Sequence, residues 1–304
     1  MCISSPSVPS SSRTTNFGLA CLAMSAFVTD AGDSGLPLTG ERTIPGLAEE
    51  NYWFRRHEVV YRRLLDLCAG RDVLEAGCGE GYGADLIASV ARRVVAVDYD
   101  AATVAHVAAR YPRVEVLEGN LAALPLPDAS VDVVVNFQVI EHLWDQPQFV
   151  AECARVLRSG GLLLMSTPNR ITFSPGLDTP VNPFHTRELN AHELAELLTD
   201  GGFFTLQSMS GVFHGPGLTA MDERHGGSII DAQIERALAD APWSDGLLAD
   251  VAAVRCDDFE LLEAGSLPGS LRSPPRLRPG GTPSPPAERD IDDSLDLVAI
   301  AVRV

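Results

Sequence analysis

The stretch Val73-Leu74-Glu75-Ala76-Gly77-Cys78-Gly79-Glu80-Gly81-Tyr82-Gly83 holds the residues best suited to chemistry. A short apolar run enters a loop with four glycines, and a helical pattern follows at once. Glycines let a backbone approach a ligand closely. Asp98 closes the next apolar run, Val94 to Val97. An acid about 20 residues past such a loop can accept hydrogen bonds from ribose hydroxyls. The pattern suits an adenosine-containing cofactor. Gly79-Glu80-Gly81-Tyr82-Gly83-Ala84 also satisfies the dinucleotide pattern, so the glycines alone leave the cofactor open. Glu75 narrows the choice, because a carboxylate inside the strand opposes a pyrophosphate and suits a cationic amino-acid group.

These residues need a scaffold, and the surrounding pattern supplies one. Strands are predicted at Asp72–Ala76, Val94–Asp98, Val114–Glu118, Val131–Phe137 and Gly161–Ser166, with helices at 84–89, 101–111 and 148–157 between them. Alternation of this kind gives an α/β fold with a parallel sheet and helices on both faces. Asn51 to Cys68 reads as an earlier helix, Arg187 to Leu198 as a later one, and Phe203 to Val212 as a sixth strand. Residues 1–45, rich in Ser, Pro, Thr and Gly, are expected to be a disordered tail, or in part a region ahead of a true start at Met24.

Composition bounds the function. The chain has 304 residues, 45% of them hydrophobic, which is ample for a core. A net charge of −18 argues against general nucleic-acid binding, which depends on Lys and Arg. The apolar run Phe17 to Val28 is too short to span a bilayer and lacks a cleavage signature, so no membrane insertion and a cytoplasmic location are expected. Six scattered cysteines form no zinc pattern, and Cys78 fits the loop as a small residue.

Glu-x-Gly-Cys-Gly-x-Gly followed by Val97-Asp98 at a strand end resembles the class I S-adenosylmethionine-dependent methyltransferases. Gly119-Asn120-Leu121, Val131-Asp132-Val133-Val134-Val135 and Val156-Leu157-Arg158-Ser159-Gly160-Gly161 extend the match over about Asp72 to Asn169, with Leu295 to Val304. The resemblance implies a Rossmann-like sheet of seven strands, mostly parallel, whose last strand returns antiparallel. Leu295–Val304 is the candidate for that strand. Residues 46–304 then form the methyltransferase domain, with an insertion at about 214–293 between strands six and seven. The insertion holds a helix near 228–239, an apolar stretch at 247–254 and a flexible Pro/Ser-rich segment at about 265–286.

The resemblance also assigns a cofactor site for S-adenosyl-L-methionine. Glu75 meets the amino group of the methionine moiety. Gly77, Cys78, Gly79 and Gly81 form the loop, Asp98 takes the ribose diol, and Tyr99 and Asn120-Leu121 lie near the adenine, with Asn136 at the strand end. Catalysis belongs beyond the C-terminal ends of the strands, where Asn136-Phe137-Gln138-Val139-Ile140-Glu141-His142-Leu143 leaves the fourth strand. An alcohol nucleophile needs a base or a metal that lowers its pKa, and His142 is the natural base. Glu141 and His142, with His185 of Asn182-Pro183-Phe184-His185-Thr186-Arg187-Glu188, look similar to motifs of methyltransferases that bind Mg²⁺ or Mn²⁺. Small-RNA 3′-end methyltransferases and ubiquinone-pathway O-methyltransferases are examples, but Gln138 stands where the RNA enzymes carry a further Glu. The alternative reading makes Glu141 and His142 caps of the rim helix and His185 a loop hydrogen-bonder.

Arg56, His57 and Tyr61 on the first helix, with His214 and His225 in the insertion, are candidate acceptor contacts. Glu49 to His57 together with Arg224 to Asp231 resembles an actinobacterial group associated with methylglucose lipopolysaccharide assembly, which implies a sugar hydroxyl as acceptor. The expected function is O-methylation of a small-molecule or carbohydrate acceptor. RNA 3′-end methylation and non-catalytic cofactor binding are the alternatives. A homodimer could cover the sheet edge, and so could the insertion.

Overall fold

Valine-rich runs bounded by turns set the frame: β1 (Asp72–Ala76), β2 (Arg93–Asp98) and β4 (Val131–Phe137) are almost wholly buried, as parallel strands covered on both faces must be. The computed structural model describes Leu36 and residues 42–177, 179–264 and 289–304. With β3 (Glu115–Glu118), β5 (Leu157–Pro168), β6 (Phe204–His214), β7 (Phe259–Glu263) and β8 (Asp296–Arg303) they form one sheet of order β3-β2-β1-β4-β5-β8-β6-β7. The pairs from β3 to β5 are parallel. β8 runs antiparallel between β5 and β6, as expected of the last strand.

The sheet has eight strands, one more than expected. The additional strand, β7, comes from the insertion and pairs antiparallel with β6. Only five residues long, it is held by Phe259, which is fully buried. It covers the edge of β6 from within the chain, so no second subunit is required there.

Side chains alternate across the sheet. Leu74 and Val134 face one core with Phe149, Leu163 and Leu194. Val73, Val133 and Val135 face the other, with Tyr52, Val60 and Ile229. Four helices have apolar residues at helical spacing on the inward side: α1 (Asn51–Leu64), α2 (Tyr82–Ala88), α3 (Ala101–Arg110) and α4 (Gln146–Val156). A fifth, α5 (Ala191–Thr199), begins four residues later than predicted because Asn190 and Glu193 form a capping box. The insertion adds α6 (Pro216–Arg224), α7 (Ile229–Leu238) and α8 (Asp245–Ala253). Asn51 Nδ2 donates to the carbonyls of Val251, Ala252 and Val254, so the first residue of α1 closes the end of α8.

Packed chain reaches Arg42, inside the stretch expected to be a disordered tail. Thr43 and Ile44 are buried, and Arg42 Nη1 donates to Thr103 Oγ1 at 2.9 Å. Met24 and the Pro/Ser-rich segment at 265–286 lie outside the described residues.

Candidate active site

The loop between β1 and α2 needs glycine. Gly77, Gly79 and Gly81 have φ of 85°, 51° and 96°, the left-handed region that side chains rarely adopt. A Cβ at Gly77 would also lie 2.6 Å from Val139 Cγ1. Asp98 ties this loop to the end of β2: Oδ2 accepts from the Gly79 N–H at 3.0 Å and Oδ1 from the Asp100 N–H at 3.1 Å. Burial raises the Asp98 carboxyl above its usual range.

Glu75 is buried at the end of β1. Its Oε1 accepts from the Tyr61 hydroxyl at 2.6 Å, while Oε2 is buried with no partner. Burial pushes its pKa up to about 8, nearby Asp98 adds to the rise, and the Tyr61 hydrogen bond opposes it. On neighbouring β4, Asn136 Nδ2 donates to the Ala76 carbonyl at 2.8 Å, and its Oδ1 is also buried and unpartnered. Orphaned buried acceptors are costly, and a donor-only ammonium group is the complement that Glu75 Oε2 lacks. Around them, Cys78 and Leu121 are buried, Asn120 is exposed with Oδ1 accepting from the Ala122 N–H, and Tyr99 is 72% exposed.

The second cluster follows β4. Ile140–His142 forms a single 3-10 turn. Glu141 is buried there, with Oε2 accepting from Thr167 Oγ1 at 3.0 Å, and its own carbonyl accepts from the Thr186 N–H at 2.7 Å. That backbone bond stitches the loop carrying His185 to the turn carrying Glu141. His142 Nδ1 donates to the Phe184 carbonyl at 3.0 Å, which leaves its lone pair on Nε2 when the ring is neutral. His185 Nδ1 lies 2.6 Å from Glu188 Oε1, and Asn182 Nδ2 lies 3.0 Å from His185 Nε2. The two imidazoles meet edge to face at 4.8 Å. One ligand atom from each of Glu141, His142 and His185 falls within 4.8 Å of the others.

This donor set fits a divalent cation. Each histidine gives its Nδ1 to a carbonyl or carboxylate, the outer-shell pattern that orients metal-bound imidazoles. Burial pushes Glu141 up to about 7, with His185 opposing the rise, so a nearby cation would favour the carboxylate form. The Asn182 amide must leave His185 Nε2 for an ion to enter.

Acceptor contacts expected from sequence are mostly committed elsewhere. Arg56 is 3% exposed and forks onto Asp296 at 2.8 and 2.6 Å, so it is a structural ion pair. Tyr61 is buried with its hydroxyl on Glu75, and thus belongs beneath the glycine loop. His57 is largely buried, which pulls its pKa down to about 4. His214 bridges Tyr52, at 2.6 Å, and Asp222, at 2.7 Å, and His225 lies 2.8 Å from Asp250. The partners of Arg56 and Tyr61 lie 240 and 14 residues away, and nothing in the local pattern marks them. Leaving Asp296 buried without its cation in Arg56→Met should cost about 3 kcal/mol or more. Urea unfolding midpoints check this, and Arg56→Met with Asp296→Leu should recover most of the loss.

The comparisons with known proteins decide the family. The family model described as "Methyltransferase domain" matches residues 74–165. A probable S-adenosylmethionine-dependent methyltransferase of Mycolicibacterium smegmatis is 72% identical over 89% of this chain and 96% of its own. One from Mycobacterium tuberculosis is 64% identical over the whole of both chains. The chain belongs to the S-adenosylmethionine-dependent methyltransferases. As a methyltransferase its cofactor is S-adenosylmethionine. The fold agrees: an S-adenosylmethionine-dependent methyltransferase structure from Thermotoga maritima superposes with a TM-score of 0.50 at 17% identity, covering 83% of this chain and 93% of its own. Among the described residues of this methyltransferase, no helix is long and apolar enough to cross a membrane.

Proposed function

We propose that this methyltransferase transfers its methyl group to a hydroxyl of a small-molecule or carbohydrate acceptor, a sugar in polysaccharide or lipopolysaccharide assembly. The observation that carries the reading is the Glu141–His142–His185 cluster at the C-terminal rim of the sheet. Glu75 holds the amino group of the methionine moiety, Asp98 the ribose diol, and Gly77, Cys78, Gly79 and Gly81 allow close backbone approach. Tyr99, Asn120 and Leu121 flank the adenine, and Asn136 lines the strand end.

Bound S-adenosylmethionine would supply an electrophilic methyl, the O–C bond to the acceptor forming in line as the C–S bond breaks and S-adenosylhomocysteine leaves. Positioning therefore provides much of the rate. His142 Nε2 takes the hydroxyl proton as the oxygen–carbon bond forms. The ligand geometry favours a second form of this reading, in which Glu141, His142 and His185 hold Mg²⁺ or Mn²⁺. A bound cation of that kind lowers the pKa of the hydroxyl directly. The sugar is supported by the resemblance of 49–57 and 224–231 to the methylglucose group, and the net charge of −18 weighs against an RNA acceptor.

The test is transfer of labelled methyl from S-adenosylmethionine to a saccharide panel, with EDTA and with added Mg²⁺ or Mn²⁺. Transfer lost with EDTA and restored by the ion assigns the cluster as a metal site. Transfer indifferent to EDTA leaves His142 as a plain base. Label appearing only on nitrogen, carbon or RNA acceptors overturns the proposal.

A further inference from the structure

Glu80 stands in the glycine loop between Gly79 and Gly81, where no motif gives it a task. In the structure its side chain is wholly buried and turned onto α3. His106 Nε2 donates to Glu80 Oε1 at 3.0 Å, and the Tyr111 hydroxyl lies 2.8 Å from Oε2 and 3.1 Å from Oε1. Arg110 Nε stands 3.4 Å from Oε1. Gly81 is packed against the same helix end, since a Cβ there would lie 2.7 Å from Val107 Cγ2 and 2.9 Å from the Tyr111 ring.

The other end of α3 is tied to the same loop. Asp98 accepts from the N–H groups of Gly79 and Asp100, and the Asp100 side chain caps α3 by accepting from the Ala102 N–H at 3.1 Å. The loop is thus held to α3 twice, once on the cofactor side and once behind it. Its left-handed glycines, with φ of 51° and 96° at Gly79 and Gly81, have broad conformational freedom of their own. Something outside the loop must select one shape, and ordering it only on binding would reduce affinity.

We propose that Glu80, His106 and Tyr111 form a latch that holds the glycine loop in its cofactor-accepting shape. Glu80 is a positioning residue that sets cofactor affinity without touching the cofactor. The inference rests on the loop between Gly77 and Gly81 being the cofactor site.

Calorimetric titration of the full chain with S-adenosylhomocysteine tests it. Glu80→Ala should raise Kd by about tenfold or more, while the stoichiometry stays at one site per chain. Glu80→Gln, which keeps an acceptor for both donors, should stay within about threefold of the parent. A merely structural role would instead lower the binding-competent fraction and leave Kd unchanged. Should Glu80→Ala fail to fold, Tyr111→Phe and His106→Ala each remove one donor and should each raise Kd severalfold. Parent-like Kd in every folded variant overturns the latch. Failure of the parent chain to bind at all would instead overturn the cofactor-site reading on which it rests.

Discussion

Glu75→Gln should abolish most binding of S-adenosylhomocysteine while flattening the pH dependence of stability. The carboxyl titrates at about 8 in the fold because burial disfavours its charge, against 4.5 for an ordinary glutamate. Between those values the folded chain holds a proton that the unfolded chain has lost. Stability therefore falls as pH rises from about 4.5 to 8, by about 3 kcal/mol at pH 7 for this group alone. Glu141, pushed up to about 7, contributes with the same sign. Glutamine cannot ionise, so the stability difference between pH 5 and pH 8 should shrink by roughly that amount. The Tyr61 bond can survive on the amide oxygen. A ligand ammonium would instead meet an N–H group or a neutral oxygen at the orphaned position, and affinity should drop by about 100-fold or more. Thermal melts at two pH values and calorimetry read both effects. A variant that binds like the parent would remove the amino group from Glu75.

His142→Ala should lower kcat about 10²- to 10⁴-fold with the panel acceptor, the usual contribution of a positioned base or of a ligand to an activating ion. Affinity for S-adenosylhomocysteine should change by less than about threefold, because the His142 ring is anchored on the Phe184 carbonyl, in the loop that carries His185. Steady-state rates beside calorimetry separate the two. Equal losses in both would make His142 a scaffold residue.

Much of this was legible in the chain. β1 and β4 keep their predicted bounds because their valine runs stop at a glycine loop and a polar rim. Asp98 ends β2 and Glu75 lies one residue before the end of β1, where the two apolar runs predict them. The helix after β5 starts later than predicted, because Arg187, its predicted first residue, gives its N–H group to the Glu141 carbonyl instead. β7 escaped notice because Phe-Glu-Leu-Leu-Glu is short and its partner β6 lies far back in the chain. Arg56 looked available for an acceptor only because Asp296, its partner, sits at the start of the last strand. Glu80 shows the same limit: a residue between two glycines carries no sign of the helix it will face.

The most direct test of the account is titration with S-adenosylhomocysteine at pH 7 in two buffers of different ionisation heat. On the proposed reading Glu75, whose carboxyl burial pushes up to about 8, gives up its proton to face the ammonium group as a carboxylate. Binding should therefore release close to one proton, and affinity should rise from pH 6 towards 8. Binding with no proton release, or none at all, would contradict it.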